Sequence, residues 1–325
     1  MKKIILIIII ASILISGCSG GARSPQIPPI YSGSEGVVVE FMKNVPPQKL
    51  YENQVFELIV NVHNKGAYSI NGSTINEKGV VHVDYDPLYF SQVILKESSF
   101  VLRSKSLDFP KGESVMLDLG QMKVNEILGT RVSPKTKIYV SVCYPYQTYL
   151  SKEVCIDQDY MKVQKTPVCT NPGTYTFSSQ GAPVAITKIE ADMLPLGNGV
   201  TQPVFRITLR NIGKGIVITR QDGIIIDNLC SPARTDSNPK NFNILKVSAW
   251  LGSEDNQLKC EPENAILWDN EVEVTCTSNP IQAVTVQDPE RPISDNNHIS
   301  ILTVKADYVY KENINREIEI NRIGR

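Results

Sequence analysis

The sequence predicts an all-β protein with two Ig-like antiparallel β-sandwich domains in tandem, placed after a signal peptide and a flexible tether. Three observations predict this class. Apolar residues recur at every second position in several short segments, which is typical of half-buried antiparallel strands. Turn signals such as Asn71-Gly72 separate these segments at short intervals, as in β-sandwiches. The length of 325 residues suits two domains of ordinary size, and no segment has the period of a long amphipathic helix.

The N-terminus predicts export from the cytoplasm. Lys2 and Lys3 give the chain a basic start, and residues 4–15 form an apolar run that only Ala11 and Ser12 interrupt. A charged start followed by such a run is the pattern of a secretory signal peptide, which we assign to residues 1–17. The run is shorter than the roughly 20 apolar residues that span a bilayer, which argues against the alternative of a permanent transmembrane helix.

The residues around Cys18 suggest a lipid anchor. Ile15, Ser16 and Gly17 stand directly before Cys18 and resemble the lipobox of prokaryotic lipoproteins. This resemblance implies cleavage before Cys18 and acylation of its thiol and amino groups, which would hold the protein on the outer face of the cell membrane, at the cell surface or the periplasmic side. Two or more acyl chains give firm anchoring. The alternative is a plain signal peptide with an incidental cysteine.

Residues 18–35 are rich in Gly, Ser and Pro and predict a flexible membrane tether. The first sandwich domain is assigned to residues 36–160. In it, Phe56, Leu58, Val60 and Val62 alternate with polar residues and lead into the turn Asn64-Lys65-Gly66. The strands predicted for this domain are residues 37–41, 56–62, 80–83, 115–119 and 138–143.

A linker at residues 161–172 separates the first domain from the second, which is assigned to residues 173–325. Residues 204–210 alternate in the same way as residues 56–62 and end in a second glycine-rich turn, Asn211-Ile212-Gly213. The remaining strands predicted for this domain are residues 184–190, 216–218, 223–226, 245–251, 299–310 and 314–320.

Residues 56–66 and 205–215 share one pattern, an alternating strand that runs into Asn-x-Gly. This pattern resembles the CARDB group, the cell-adhesion-related Ig-like domains of prokaryotic surface proteins. The layout of the chain is similar to archaeal surface lipoproteins with two such domains, and the group has no shared catalytic residues. On physical grounds, Gly66 and Gly213 are expected to adopt backbone angles that a side chain would resist.

Six cysteines follow Cys18. An even number in an exported protein predicts disulfides, although six cysteines allow fifteen connectivities. Neighbouring strands favour Cys143 with Cys155 and Cys260 with Cys276, each as a local link, which leaves Cys169 with Cys230. No two of the cysteines are close enough in sequence for the usual zinc ligand spacing, so no structural zinc site is expected.

Three tyrosines follow Cys143 closely: Tyr144, Tyr146 and Tyr149. Tyrosine offers a large contact area with few rotatable bonds, and a disulfide-closed loop loses little entropy on binding. These residues are therefore candidates for a binding loop. The alternative is that their rings pack over the sandwich edge or the junction between the domains.

The sequence contains no motif that identifies an enzyme. It has no G-x-S-x-G elbow, no H-E-x-x-H and no P-loop, and we expect no catalytic residue. Acidic segments such as Asp84-Tyr85-Asp86 suit calcium but lack the spacing of an EF-hand, so neither a metal nor a cofactor is predicted. The formal net charge of −1 does not favour nucleic acid as a partner.

These observations predict a non-catalytic, lipid-anchored surface protein. Its Ig-like domains would present a surface for binding, adhesion or envelope assembly, and its partner would be a protein or a surface polymer. A second possibility is a lipoprotein that binds a solute or polymer for a membrane machine, for which an aromatic-lined pocket between the domains would be the sign. A third is an extracellular hydrolase with carboxylates clustered in a cleft.

Overall fold

The computed structural model describes residues 30–72, 74, 77–96, 98–127, 133–158, 168–220, 226, 241–282 and 297–322. The regular elements of this part of the chain are β-strands, which confirms the predicted all-β class. Within the same residues, no helix has the length and apolar character needed to cross a membrane. The strand predicted at residues 223–226 lies outside the described residues except for Ile226.

The first half of the chain contains strands β1 to β8. Their alternating apolar residues point inwards, as in β3, where Phe56, Leu58, Val60 and Val62 are buried. The strands are β1 (Val37–Phe41), β2 (Lys49–Tyr51), β3 (Val55–Asn64), β4 (Gly79–Tyr85), β5 (Phe90–Leu95), β6 (Ser99–Phe100), β7 (Ser114–Val124) and β8 (Lys135–Asp157).

The second half of the chain contains ten strands. They are β9 (Thr174–Thr176), β10 (Val184–Gly197), β11 (Val200–Asn211), β12 (Ile216–Ile218), β13 (Ile244–Leu251), β14 (Lys259–Glu261), β15 (Asn264–Ile266), β16 (Glu271–Thr277), β17 (Ile281–Gln282) and β18 (Asn297–Asn321).

The strands form three sheets. The N-terminal sheet has the order β1-β3-β7-β5, and the C-terminal sheet has the order β14-β16-β11-β10-β9 with β17 beside β11. The third sheet, called the shared sheet below, has the order β15-β13-β18-β8-β4-β6 and takes strands from both halves of the chain. In addition, β12 and β2 pair with β18, the latter in the parallel direction.

Strands β8 and β18 pair with each other along almost their whole length, from Lys135 opposite Glu319 to Asp157 opposite Asn297. The sequence predicted a strand that ends at Cys143, followed by a loop, but β8 continues through Pro145. Beyond Cys143, β4 no longer pairs with β8, so this part of β8 is an edge strand among the described residues. Edge strands tolerate proline because one side of the strand needs no hydrogen-bond donors.

The N-terminal sheet covers one end of the shared sheet, and the C-terminal sheet covers the other end. We call the two resulting pairs of packed sheets the first sandwich and the second sandwich. In the first, Arg316 of β18 stacks on Phe41 and donates hydrogen bonds to two carbonyls that follow β1. In the second, Thr148 of β8 donates a hydrogen bond to the Val184 carbonyl at 2.6 Å. Each sandwich therefore contains a long strand segment from the other half of the chain. The boundary predicted at residues 161–172 does not separate the sheets.

The two halves repeat one topology around the junction. β1 begins with Val37 opposite Asn64, and β10 begins with Val184 opposite Asn211. β4 pairs in the antiparallel direction with the first part of β8, and β13 pairs in the antiparallel direction with the first part of β18. An approximate two-fold axis passes through the pair Pro145 and Val309, which face each other at the centre of β8 and β18.

The disulfides agree with one of the three predicted pairs. Cys260 and Cys276 link β14 to β16, which confirms that prediction. Cys155 is bonded to Cys169, so the predicted pairs Cys143–Cys155 and Cys169–Cys230 are wrong. The reason is that Cys143 and Cys155 lie on one extended strand, where a rise of about 3.3 Å per residue places them about 40 Å apart. Cys143 is also disulfide-bonded.

Candidate functional site

A buried cluster of four tyrosines occupies the junction between the two sandwiches. Tyr144 and Tyr146 of β8 lie opposite Tyr310 and Tyr308 of β18, and neighbouring ring centroids are 5.7 to 6.3 Å apart. All four side chains are buried. Tyr144 and Tyr146 therefore form no binding loop. Their rings pack at the junction, which was the alternative interpretation of the sequence.

The two Asn-x-Gly turns lie beside this cluster and have the same hydrogen bonds. The Asn64 side-chain amide donates to the Tyr68 carbonyl at 2.8 Å, and the Gly66 amide donates to Asn64 Oδ1. The Asn211 amide donates to the Gly215 carbonyl at 2.9 Å, and the Gly213 amide donates to Asn211 Oδ1. In both turns the asparagine side chain replaces a backbone partner, which explains why this residue type ends β3 and β11.

Each turn receives one tyrosine hydroxyl. A Cβ atom on Gly66 would lie 1.9 Å from the Tyr146 hydroxyl oxygen, and a Cβ atom on Gly213 would lie 2.3 Å from that of Tyr310. Neither glycine has a positive φ, so the prediction that they supply unusual backbone angles is wrong. Glycine is required here because the tyrosine oxygen occupies the space of a side chain.

The hydroxyls of Tyr146, Tyr308 and Tyr310 act as hydrogen-bonding groups, and all four tyrosines stay protonated. Burial raises the pKa of Tyr144, Tyr146 and Tyr308 well above the ordinary value, and it raises the pKa of Tyr310 to about 12. The Tyr146 hydroxyl donates to the Gly181 carbonyl at 2.7 Å, and the Tyr310 hydroxyl accepts from the Gly215 amide at 2.8 Å. The cluster therefore joins the two sandwiches, and none of its hydroxyls is activated as a base.

Tyr149 is the one predicted binding tyrosine that reaches the surface, and 50% of it is exposed. It lies on the outer face of the shared sheet, opposite Lys305. Lys305 Nζ lies 5.8 Å from the ring centroid of Trp250 on the adjacent strand, and Ile299 and Ile301 are exposed on the same face of β18. We call Tyr149, Trp250, Ile299, Ile301 and Lys305 the outer patch.

The outer patch is unusual because the solvent face of an antiparallel sheet is normally polar. Ile299 is 54% exposed and Ile301 47% exposed, and the register of β18 places both on the face of Tyr149. Exposed apolar side chains gathered on one face of a sheet make that face a candidate site of interaction. Sequence reasoning missed Trp250 and the two isoleucines, because alternation marks two faces of a strand without showing which is covered.

A cleft of about 270 Å³ opens at the junction, on the side where the residues before β1 approach the folded chain. Its walls come from the segment before β1, the turn after β11 and the middle of β18. We call it the junction cleft. Its lining residues are Gly33, Ser34, Glu35, Gly36, Pro183, Ile212, Gly213, Lys214, Tyr310 and Glu312.

Glu312 is the charged group of the cleft that is most removed from water. Burial raises the pKa of its carboxyl group, and the nearby carboxylate of Glu35 raises it further, whereas the ammonium groups of Lys214 and Lys65 lower it. Glu35 is exposed at the rim. The cleft thus combines two carboxylates with one lysine at its wall.

Other predicted site residues lie elsewhere. Ile15, Ser16, Gly17, Cys18 and Cys230 are outside the described residues. Within the described part of the chain, no group of three or more His, Cys, Asp or Glu side chains is arranged to hold a metal ion.

No protein-family model matches the chain, and no curated protein matches it.

Proposed function

We propose that the chain is a non-catalytic, lipid-anchored surface protein that presents the outer patch to a protein or surface-polymer partner. The observation that carries the proposal is the exposure of Tyr149, Ile299 and Ile301 together on the solvent face of the shared sheet. The lipobox-like residues before Cys18 support the anchor. The resemblance to CARDB-like surface proteins supports the same role and is part of the proposal.

The path of the tether is consistent with this role. The Gly33 amide donates a hydrogen bond to Ser179 Oγ at 3.0 Å, so the chain enters at the junction, between the N-terminal and C-terminal sheets. The outer patch lies on the opposite face of the shared sheet. A membrane anchor attached at Cys18 would therefore hold the chain at its middle and leave the outer patch facing away from the side of attachment.

Removal of the anchor is the first test. We expect Cys18→Ser to move the protein from the membrane fraction to the soluble extracellular fraction, because no acyl chain can be attached to serine by a thioether bond. Cell fractionation and intact mass measure the outcome. Wild-type protein should have a mass that begins at Cys18 plus lipid, and a wild-type mass that retains residues 1–17 would contradict the anchor.

Replacement of the outer patch is the second test. We expect a Tyr149→Ser and Ile301→Ser double variant to lower binding of the labelled protein to cells that lack it by at least about tenfold, because central apolar anchors dominate interfaces. Tyr139→Ser is the matched control, since Tyr139 lies on the same face of β8, is 43% exposed and belongs to the first sandwich. Flow cytometry measures binding, and equal binding by the double variant and the control would overturn the role of the patch.

A further inference from the structure

Glu312 lies on the face of β18 that carries buried core residues. The side chains of Tyr308, Tyr310, Ile318 and Ile320 point to the same face of the strand and are buried. A carboxylate on this face loses part of its hydration and needs a compensating partner. Glu312 is half-buried, and the hydrogen bonds and ion pairs within the described residues include none to its carboxylate.

The internal repeat allows Glu312 to be compared with the equivalent residue in the other half of the chain. Glu312 follows Val309 at the same interval at which Thr148 follows Pro145, so the two-fold axis relates these residues. Thr148 is buried, donates to the Val184 carbonyl at 2.6 Å and lies 3.0 Å from the Tyr308 hydroxyl. One side of the junction is therefore closed by a neutral, hydrogen-bonded side chain, whereas the other side has a carboxylate that faces the junction cleft.

The chemistry of the cleft favours an organic ammonium group over a metal ion. Its charged lining residues are Glu312, Glu35 and Lys214. Calcium takes six to eight oxygen ligands, and the two carboxylates of the lining supply at most four. A volume of about 270 Å³ is enough for a small organic molecule, and ligand sites occur preferentially at junctions of this kind.

We propose that the junction cleft binds the primary ammonium group of a small ligand, with Glu312 as its counter-charge. Lys214 is placed in the same wall to contact a carboxylate when the ligand carries one. This site is separate from the outer patch and goes beyond the proposed surface role. Its failure would leave that role intact, because none of the outer-patch residues lines the cleft.

Isothermal titration calorimetry on the full-length protein tests the site with three probes of one chain length. These are 1,5-diaminopentane, 5-aminopentanoate and pentanoate. We expect binding of both amines and none of pentanoate. Binding of 5-aminopentanoate alone supports a zwitterionic ligand that also uses Lys214, whereas binding of pentanoate, or of none of the three, overturns the proposal.

Variants at Glu312 identify the binding group. We expect Glu312→Gln to weaken amine binding at least about tenfold, since the counter-charge is lost. Glu312→Thr, which copies Thr148, should abolish binding and keep the fold, as judged by the melting temperature. Glu153→Gln on exposed β8 is the matched control and should bind like wild type. Unchanged binding in both Glu312 variants would overturn the assignment.

The pH dependence provides a separate readout. Amine binding should weaken as the pH falls through the raised pKa of Glu312, because the protonated carboxyl group loses its counter-charge. The charged and titratable groups around Glu312 are Glu35, Lys65, Lys214 and Tyr310, and Glu35 is the only other carboxyl group among them. Glu35→Gln should therefore keep the pH dependence but move it to lower pH, because the Glu35 carboxylate contributes to the raised pKa of Glu312. Loss of the pH dependence in that variant would contradict the assignment to Glu312.

Discussion

A chain that ends at Tyr310 is expected to lose the first sandwich and to keep the second. The deleted part of β18 pairs with residues 135–143 of β8 and, through Glu319–Asn321, with β2. It also carries Ile318 and Ile320, both fully buried. Burying one such side chain stabilises a protein by roughly 1.5 to 3 kcal/mol, and total stabilities are roughly 5 to 15 kcal/mol. The loss is therefore a large part of what holds the first sandwich together.

The position of the tryptophans makes this measurable in one experiment. The chain has two tryptophans, Trp250 and Trp268, and both lie in the second half. In urea, the tryptophan fluorescence transition of the shortened chain should stay near that of wild type, whereas the far-ultraviolet circular dichroism should show that part of the β-structure is absent before denaturant is added. An unchanged dichroism spectrum would show that residues 311–325 are dispensable for the first sandwich.

A point variant gives the same test without truncation. Ile318→Ala should lower the free energy of unfolding of the first sandwich by roughly 2 to 5 kcal/mol, because it leaves a cavity in the core. Glu317→Ala is the matched control. Its side chain is more than half exposed and pairs with Lys135 at the surface, so its loss should cost no more than about 1 kcal/mol.

Gly66→Ala is the substitution with the second largest expected effect. The new Cβ atom would lie 1.9 Å from the Tyr146 hydroxyl oxygen and 2.9 Å from the Gly181 carbonyl oxygen. Tyr146 is packed among the other junction tyrosines and cannot move aside without disturbing them. Overpacking of a rigid core costs roughly 1 to 3 kcal/mol and occasionally more, and we expect about 3 kcal/mol in urea unfolding.

Tyr146→Phe separates the steric effect from other causes. Alone, it removes the hydrogen bond to the Gly181 carbonyl and should cost about 1 kcal/mol. Combined with Gly66→Ala it removes the oxygen that the new methyl group meets, so the double variant should be less destabilised than the sum of the single variants. Full additivity would show that the Tyr146 hydroxyl is not the obstacle.

Gly173→Ala is the control for backbone angle. Gly173 has a φ of 77° and no atom within 4 Å of an added Cβ, so its replacement strains the backbone by about 1 kcal/mol without a steric contact. Gly66 presents the opposite situation, with an ordinary φ and no space. If Gly173→Ala destabilised the protein more than Gly66→Ala, the steric explanation of Gly66 would be incorrect.

Several elements could be predicted from the sequence because they depend on local information. The alternation of Phe56, Leu58, Val60 and Val62 predicted β3 and its buried face, since a strand presents successive side chains to opposite sides. The link between Cys260 and Cys276 was predicted because their strands are close in sequence and pair directly.

The candidate site could be predicted only in part. Tyr144, Tyr146 and Tyr149 were predicted together as a binding loop. Only Tyr149 is exposed, whereas Tyr144 and Tyr146 belong to the junction, because β8 continues as a strand where a loop was expected. Glu312 was not identified, since a single carboxylate in an alternating segment normally lies on the solvent face. Its inward direction follows from the register of β18, and the register depends on a strand in the other half of the chain.

The sequence alone determined the all-β class, the buried faces of the short strands and the Asn-x-Gly turns, because each depends on side chains a few residues apart. Only the tertiary structure decided that β8 extends from the first sandwich into the second and that β18 extends from the second into the first. This exchange determines the positions of the four tyrosines, the outer patch and the junction cleft. The physical reason is that a strand leaves one edge open for any partner, so the choice of partner depends on the packing of the whole chain.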